Sequence, residues 1–276
     1  MSREVDVSDP EDVEFNPASE EGRKTFRKKV NGKAWQRIMR ERAEERYEGK
    51  EWWSRANVSL DNCRVRETSR KIARKIILEY EWLGTLPPGA SRFYGIFFDD
   101  WACGGVTCFG VGANVYAHDE LGIERDELSY LVRGACTHWT PKNTNSKLIS
   151  YSLDFEKEKG KKVAIAYADT EAGEIGQLYQ ATNWLCLGKG GSVLELIHPE
   201  TGRIYNQKEI ADTIERNDLE DQVSWAEMRD YFIEEGWELQ ESNPKYKYIY
   251  ILAEGEEHDR IYSNIEDKIE DYPKRE

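Results

Sequence analysis

Two runs rich in aromatic and small apolar residues, at 93–98 and 106–110, lie close together in the chain. Only a short polar break at 99–102 separates them. Aromatic and β-branched residues favour strands, and two such runs joined by a few polar residues are typical of a β-hairpin. The sequence therefore predicts a β-hairpin, and with it a β-sheet, at the centre of the fold.

Strands and helices alternate after this hairpin. Residues 129–139 and 162–168 are predicted to be buried strands, and residues 146–157 between them an amphipathic helix. The other elements predicted from the same patterns are helices at 70–80, 174–185, 207–216 and 225–235, and strands near 193–197 and 246–252. This order predicts an α/β fold in which a mixed central sheet is flanked by helices.

Composition divides the 276-residue chain into three parts. Residues 1–22 are acidic and poor in apolar residues, so they are expected to form a flexible tail. Residues 23–69 form a basic, tryptophan-containing arm, with a helix predicted from about 33 to 48. Residues 70–275 form the main domain, which holds a helical insertion at 207–243 before its last strand.

Charge is unevenly distributed along the chain. The net charge is −14, and a generic nucleic-acid binder would be basic. Residues 23–75, however, hold 18 Lys and Arg against 7 Asp and Glu, so this segment carries +11 and the remainder −25. Two interpretations of the basic arm stay open. It is either a charged helix that packs one face on the main domain, or a cationic surface for phosphates and stacked bases.

Several classes of protein are disfavoured. The acidic start lacks the features of a signal peptide, and no apolar run approaches the length of a membrane span. We therefore expect a cytoplasmic protein with no membrane partner. The five cysteines form no CxxC pair, and the histidines form no HExxH motif, so a zinc site is not expected, although a looser metal site stays open. Cys103, Cys108 and Cys136 lie in apolar runs and are expected to be core residues.

The turn after the predicted strand 129–139 is a candidate anion site. A helix N-terminus presents unpaired N–H groups and a partial positive charge, which suits a pyrophosphate. The candidate donor-binding residues are Arg133, Lys142, Asn143, Ser146 and Lys147. The alternative is an ordinary polar turn, since many α/β proteins have one.

Asp169 and Tyr179 are the candidate catalytic residues. Asp169 ends a predicted buried strand, and active groups of open α/β sheets gather at the carboxyl ends of strands. It is either a general base or a loop carboxylate. Tyr179, on the next predicted helix, is either a proton donor to a leaving thiolate or a half-buried packing residue.

Several segments, in order along the chain, resemble the phage Mom-like DNA-modification proteins of the GNAT (N-acetyltransferase-like) superfamily. The run WTPKN at 139–143 resembles the family's donor loop. YAD at 167–169 and YQATNW at 179–184 resemble its next strand and helix. The segment at 244–250 and YPK at 272–274 resemble its last strand and tail. The usual glycine-rich pyrophosphate loop of GNAT proteins is replaced here by residues 140–145.

The resemblance implies a function. The family adds a small acyl-derived group to an amino group of a DNA base, adenine N6 or a hypermodified base, which protects phage DNA from host restriction. It implies acetyl-CoA or a related acyl donor as cofactor and double-stranded DNA as partner. Asp169 and Tyr179, with Tyr80 beside them, become the catalytic candidates.

The basic arm gains a role from this resemblance, because a base must be flipped out of the duplex before an enzyme can modify it. The candidate nucleic-acid-binding residues are Arg27, Lys28, Lys29, Trp35, Arg37, Arg40, Trp52 and Trp53. Two rival functions stay open. One is N-acyltransfer to a protein or small amine, and the other is a non-catalytic binding module on the same fold. The sequence leaves the oligomeric state open.

Overall fold

A seven-stranded sheet with helices on both faces forms the centre of the protein. The computed structural model describes residues 35–81, 84–112, 116–191, 194–200, 204–206 and 225–274. The described helices are α1 Trp35–Arg46, α2 Arg70–Tyr80, α3 Ala117–Leu121, α4 Thr144–Glu158, α5 Gln177–Gln180, α6 Trp225–Glu234 and α7 Gly255–Ser263. The described strands are β1 Cys63–Glu67, β2 Ala90–Phe98, β3 Ala102–Gly110, β4 Leu128–Cys136, β5 Val163–Ala168, β6 Leu185–Lys189, β7 Leu194–Ile197, β8 Ile204–Asn206, β9 Glu238–Glu241 and β10 Tyr246–Ile251.

The main sheet has the strand order β1-β2-β3-β4-β5-β10-β6. The pair β4–β5 is parallel and the other neighbouring pairs are antiparallel. The predicted mixed sheet flanked by helices is therefore confirmed, as is the hairpin, now β2–β3. Strand β1 lies inside the segment that the sequence placed in the basic arm. The apolar pattern of the sequence does not indicate this strand, because β1 is an edge strand in which charged residues alternate and only Val65 is buried.

The α-helices form where the sequence pattern is strongest. Helix α2 begins after Ser69, whose side chain accepts a hydrogen bond from the Ile72 N–H, and it buries Ile72, Ile76 and Ile77. Helix α4 buries Leu148 and Leu153 on the opposite face of the sheet. Both helices end within one residue of the predicted positions.

The predicted helix at 174–185 is wrong. Only α5, four residues long, is helical there, and β6 follows it. Gly176 and Asn183 have positive φ angles of 78° and 61°, so the backbone leaves the helical region on both sides of α5. Strand β6 ends one residue after Gly188, which has φ 71°.

The strand predicted near 193–197 does not join the main sheet. It is β7, the middle strand of a separate three-stranded sheet in the order β8-β7-β9. Helix α6 packs on this small sheet through Met228 against Leu196. The insertion thus contains a sheet as well as the predicted helix, and residues 207–224, where a further helix was predicted, lie outside the described residues.

Helix α7 completes the face of the sheet opposite α4 and was not predicted. It buries Ile261 against Val163 and Ile165 of β5 and Leu121 of α3. Within the described ranges, no helix has both the length and the apolar character needed to cross a membrane.

A buried ion pair fixes α4 on the sheet. The Glu156 side chain is fully buried, and its carboxylate accepts hydrogen bonds from Arg92 of β2 at 2.7 Å and from Tyr94 at 2.6 Å, as well as from Ser129 of β4. Burial alone would raise the pKa of Glu156, but the hydrogen bonds from Arg92, Ser129 and Tyr94 outweigh it and leave the pKa below its usual value of 4.5.

Replacing this carboxylate should destabilise the fold. We expect Glu156→Gln to lower the free energy of unfolding by about 3 kcal/mol at pH 7, because the guanidinium of Arg92 loses its counter-charge. A folded-state pKa below the unfolded one contributes stability above about pH 4.5, which is lost as the pH falls through the folded pKa. Urea titrations at pH 7, 5 and 4 should therefore show a difference between wild type and variant that shrinks on acidification. A difference that stays constant with pH would contradict this assignment.

The matched control is Glu158→Gln, two residues further along the same helix. Glu158 is exposed, so its substitution should change the free energy of unfolding by no more than about 0.5 kcal/mol.

Candidate active site

The cavity between β4 and β5 is the candidate active site. The two strands pair only from Leu128↔Val163 to Tyr130↔Ile165, although β4 stays paired with β3 as far as Cys136. Beyond this point the two halves of the sheet separate and enclose a cavity of about 730 Å³. Its walls include Tyr130 to Gly134 of β4, Asp169, Tyr179, Asn145, Gln36 and Lys245.

A bulge in β4 marks the start of the separation. Cys108 and Phe109 of β3 face Arg133 and Leu131 of β4, so Val132 has no opposite residue. A bulge bends its strand and increases the local twist, which turns β4 away from β5. The side chain of Gln36 in α1 then donates a hydrogen bond of 3.0 Å to the carbonyl of Gly134 inside the gap.

Asp169 lies directly after β5, at the floor of the cavity. Its side chain is 15% exposed, and one carboxylate oxygen is 2.8 Å from the Lys245 ammonium. Its backbone carbonyl accepts hydrogen bonds from the N–H groups of Ala172 and Glu174, which closes the turn after the strand. The carboxylate is therefore held in place, ion-paired and open to the cavity.

Tyr179 lies in the same cavity, on α5. Its ring packs against Trp184 and Tyr248, with centroid distances of 5.2 and 5.0 Å. Its hydroxyl makes no hydrogen bond to another residue in the described part of the chain. Burial, and then the negative charge of Glu174, raises the pKa of Tyr179 above its usual value of 10. The phenol therefore carries its proton at neutral pH.

The segment that carries Tyr179 is fixed by polar contacts. The Gln180 side-chain amide donates to the carbonyl of Ile175 at 3.0 Å and to that of Pro273 at 3.3 Å. The Tyr248 hydroxyl donates to the same Ile175 carbonyl at 2.6 Å. A single helical turn is not stable on its own. Side-chain hydrogen bonds to β10 and to the C-terminal segment therefore hold α5 in place.

The five candidate donor-binding residues are not all in one place. Arg133 lines the cavity, but its guanidinium donates to the Thr85 carbonyl at 2.9 Å and lies 3.6 Å from Glu81. Asn143, with φ 70°, immediately precedes α4, whose first turn holds Ser146. Lys142 is exposed in the turn, and the Lys147 ammonium donates to the Leu60 carbonyl at 2.6 Å.

Tyr80, the third catalytic candidate, lies outside the walls of this cavity. Its buried hydroxyl is 2.8 Å from Nδ1 of His138. The His138 ring is also stacked on Tyr47 and met edge-on by Trp53. Burial, and then the positive charge of Arg40, lowers the pKa of His138 to about 4. Tyr80 and His138 therefore form a buried, uncharged pair beneath α1.

This placement generates a prediction for Tyr80. We expect Tyr80→Phe to lower the free energy of unfolding by about 1 kcal/mol, because one buried hydrogen bond is lost, and to leave turnover close to wild type. Urea denaturation and an activity assay on the same preparation check both parts. A hundredfold loss of turnover at unchanged stability would instead give Tyr80 the catalytic role that the family resemblance implies.

The basic arm packs on the main domain. Ala43 of helix α1 and Tyr47, directly after the helix, are buried against α2. The Arg40 guanidinium donates to the carbonyls of His138 and Thr140 at 2.9 and 2.8 Å. Arg37 is exposed and paired with Glu41. Of the other candidate nucleic-acid-binding residues, Arg27, Lys28 and Lys29 lie outside the described residues, and the side chain of Trp35 is not described.

Trp52 and Trp53 form an aromatic cluster with residues of the main domain. Trp53 is stacked on Trp139 at 6.2 Å, and Trp52 meets Trp139 edge-on at 5.8 Å. Trp101 also contacts Trp52. Both arm tryptophans are half-buried by these contacts, which supports the packing interpretation for this part of the arm.

Sequence reasoning missed several cavity residues. Lys245, Gln36 and Tyr167 come from segments far apart in the chain, and the sequence pattern carries no signal that brings them together. The described residues contain no cluster of three or more histidines, cysteines or carboxylates able to hold a metal ion. Cys103, Cys108 and Cys136 are buried core residues, as the sequence predicts.

Several solved acetyltransferase structures have a similar arrangement of elements. They include an N-acetyltransferase from Staphylococcus aureus Mu50 (12% identity, TM-score 0.38, 70% of this chain and 99% of that chain). An acetyltransferase from Bacillus subtilis in complex with CoA has 11% identity and a TM-score of 0.37 over the same shares. An IAA acetyltransferase from Bacillus cereus has 10% identity and a TM-score of 0.35, over 68% and 99%. Likeness at this level carries no argument about activity.

The sequence comparisons are more specific. No curated protein matches the chain. The Mom protein family matches residues 62–274, from the residue before β1 to the last described residue. This range includes the whole main sheet, the cavity, Asp169 and Tyr179. The chain therefore belongs to the Mom protein family.

Proposed function

We propose that this protein is an acyltransferase-like enzyme that modifies an amino group of a DNA base with a small acyl-derived group. The observation that carries the proposal is the meeting of a carboxylate, Asp169, and a protonated phenol, Tyr179, in one cavity at the point where β4 and β5 separate. Such a modification would keep nucleases from cutting the DNA. Membership of the Mom family supports the choice of DNA as substrate.

The cavity suits acetyl-CoA or a related acyl donor. Beyond Tyr130 no described strand pairs with the β5-facing edge of β4, which leaves room along this edge for an extended ligand that contains amides. The phosphates of the donor would be bound at the first turn of α4, beside Asn143 and Ser146. The N–H groups of this turn and the exposed Lys142 supply the positive charge. When bound, the donor supplies the activated acyl group.

Asp169 accepts a proton from the attacking amine in this proposal. An exocyclic amine of a base is a weak nucleophile, so removal of its proton must accompany the attack on the acyl carbon. The Asp169 carboxylate is open to the cavity, and one of its oxygens pairs with the Lys245 ammonium at 2.8 Å.

Tyr179 donates a proton to the leaving group. Its raised pKa keeps the proton on the phenol oxygen until a stronger base, such as a departing thiolate, forms beside it. The packing of its ring against Trp184 and Tyr248 orients the hydroxyl.

Nucleoside mass spectrometry tests the proposed reaction. Plasmid DNA from cells that express the wild type should contain a new nucleoside, and its mass shift identifies the transferred group. We expect Asp169→Asn and Tyr179→Phe to reduce its yield by about 10²- to 10⁴-fold, the usual contribution of general acid–base catalysis, with melting temperatures close to wild type. Large losses of melting temperature in both variants would favour a packing role.

The same assay is also run on DNA from the native phage. It tests the case in which other enzymes must modify the acceptor base first, since plasmid DNA would then lack the acceptor. Absence of a new nucleoside from both DNAs would contradict DNA modification. The net charge of −14 favours, as a second candidate, acyl transfer to a protein or small amine, and purified protein with radiolabelled acetyl-CoA then tests that function.

The cationic residues before α1 should contribute to DNA binding. Deleting the whole arm would also remove the core residues of α1, so substitution is the cleaner test. We expect the triple variant Arg27→Gln, Lys28→Gln, Lys29→Gln to reduce the slope of log K against log salt by about 2.7, because three fewer counterions are displaced. Fluorescence anisotropy with a labelled duplex at several salt concentrations measures this slope.

A triple variant with the same net charge is the control. It carries glutamine at three lysines of the main domain that pair with carboxylates, Lys157, Lys159 and Lys268. Its slope should equal that of the wild type. Equal changes in both triple variants would show that net charge alone, and not the arm, sets the salt dependence.

A further inference from the structure

Tyr167 is the one exposed residue of strand β5. The other five residues of the strand are buried, but 39% of Tyr167 is exposed, and the residue lines the cavity. Tyr179 of the same cavity packs against other rings, whereas no aromatic ring of the described residues packs against Tyr167. A large apolar ring exposed in the middle of a sheet forgoes the stabilisation that burial would give it. Its exposure therefore points to a binding surface.

Tyr167 and Asp169 lie on the same side of the sheet. Successive strand residues point to opposite faces, so Tyr167 shares the face of Val163 and Ile165, which pack with α3 and α7. Asp169 follows two positions later, at the end of the strand. At the rise of an extended chain, the two residues are separated by about 7 Å along the strand, close to the width of a nucleobase.

The ring has no paired strand beside it on one side and a fixed ion pair on the other. On one side β4 has already separated from β5, because their pairing stops at Tyr130↔Ile165. On the other side Lys247 is the cross-strand neighbour on β10, and its ammonium is held by Glu120 at 3.3 Å. Gly191 also lines the cavity, and a Cβ atom at that position would meet no atom within 4 Å.

We propose that Tyr167 is the stacking platform for the acceptor base. A nucleobase flipped out of the duplex lies on the Tyr167 ring, and its exocyclic amine points at the Asp169 carboxylate. This inference rests on the proposed function. It adds to it a residue that selects planar heteroaromatic amines over aliphatic ones.

The adenine of a CoA-type donor is the competing occupant, and position argues against it. The first turn of α4, where phosphates would bind, lies on the opposite face of the sheet, since α4 packs on Leu131 and Ala166 and not on Ile165. An adenine attached to phosphates at that turn would have to pass through the gap between β4 and β5 to reach Tyr167. The flipped base is therefore the planar group that can reach the ring.

Steady-state kinetics of the full-length protein test the inference. Loss of one base–aromatic stack should raise the KM for DNA of Tyr167→Ala by about 5- to 150-fold and leave the KM for the acyl donor unchanged. Tyr167→Phe keeps the stacking face and should stay within about twofold of wild type. The control Tyr231→Ala removes an exposed tyrosine of α6 that does not line the cavity, and both KM values should be unchanged. An unchanged DNA KM in Tyr167→Ala, or a raised donor KM, overturns the proposal.

A binding measurement separates this inference from the proposed function. Tyrosine ring resonances of the full chain, labelled with ¹³C, are followed by NMR during titration with deoxyadenosine and deoxycytidine, and Tyr167→Phe identifies the resonance of Tyr167. A nucleoside-dependent shift of that resonance supports the platform even when no modified nucleoside is formed. A shift caused only by adenosine 3′,5′-bisphosphate, or no shift with any nucleoside, overturns it. DNA modification that persists without such a shift leaves the proposed function standing and removes only the role of Tyr167.

Discussion

Three residue pairs hold β4 against β5, and the site depends on where this parallel pairing stops. A gap inside a sheet exposes backbone N–H and C=O groups, and such groups must find partners or water. Here the extra residue Val132 turns β4 away, and Gln36 of α1 satisfies the carbonyl of Gly134. The gap is therefore kept open by the chain itself, and α1 is part of the structure that keeps it open.

The two sides of the gap are fixed by different kinds of interaction. On the β4 side, the buried contact of Glu156 with Arg92 locks α4 to the sheet and so fixes the turn before it. On the β5 side, Gln180 and Tyr248 hold the short helix α5 through the Ile175 carbonyl. Directional hydrogen bonds leave little freedom for the groups they join. The distance between the turn before α4 and the Tyr179 phenol is thus set by polar contacts and not by apolar packing alone.

The sequence predicted those features of the fold that depend on local residue patterns. Helices α2 and α4 have clear apolar periodicity, and the hairpin and β5 are short apolar runs, so the position of Asp169 at the end of a strand could also be predicted. It missed β1, whose charged residues alternate along a sheet edge, and it took the region around α5 for a long helix, because positive φ at Asn183 leaves no periodic signal. The role of Trp52 and Trp53 is also ambiguous in the sequence, because a local pattern does not show tertiary contacts. Only the tertiary contact with Trp139 distinguishes a packing residue from a stacking one.

The acidic insertion gains significance from the position of its two ends. The chain leaves the main sheet at Gly190 and Gly191 and returns through 242–245, and both connections line the cavity. The Gly190 N–H donates to the Lys245 carbonyl at 2.9 Å, while the Lys245 ammonium pairs with Asp169. A displacement of the small sheet would therefore move the cation that pairs with the Asp169 carboxylate. The insertion is poorly suited to contact phosphates, since its sequence is rich in Asp and Glu, yet it is connected to the candidate site through this one lysine.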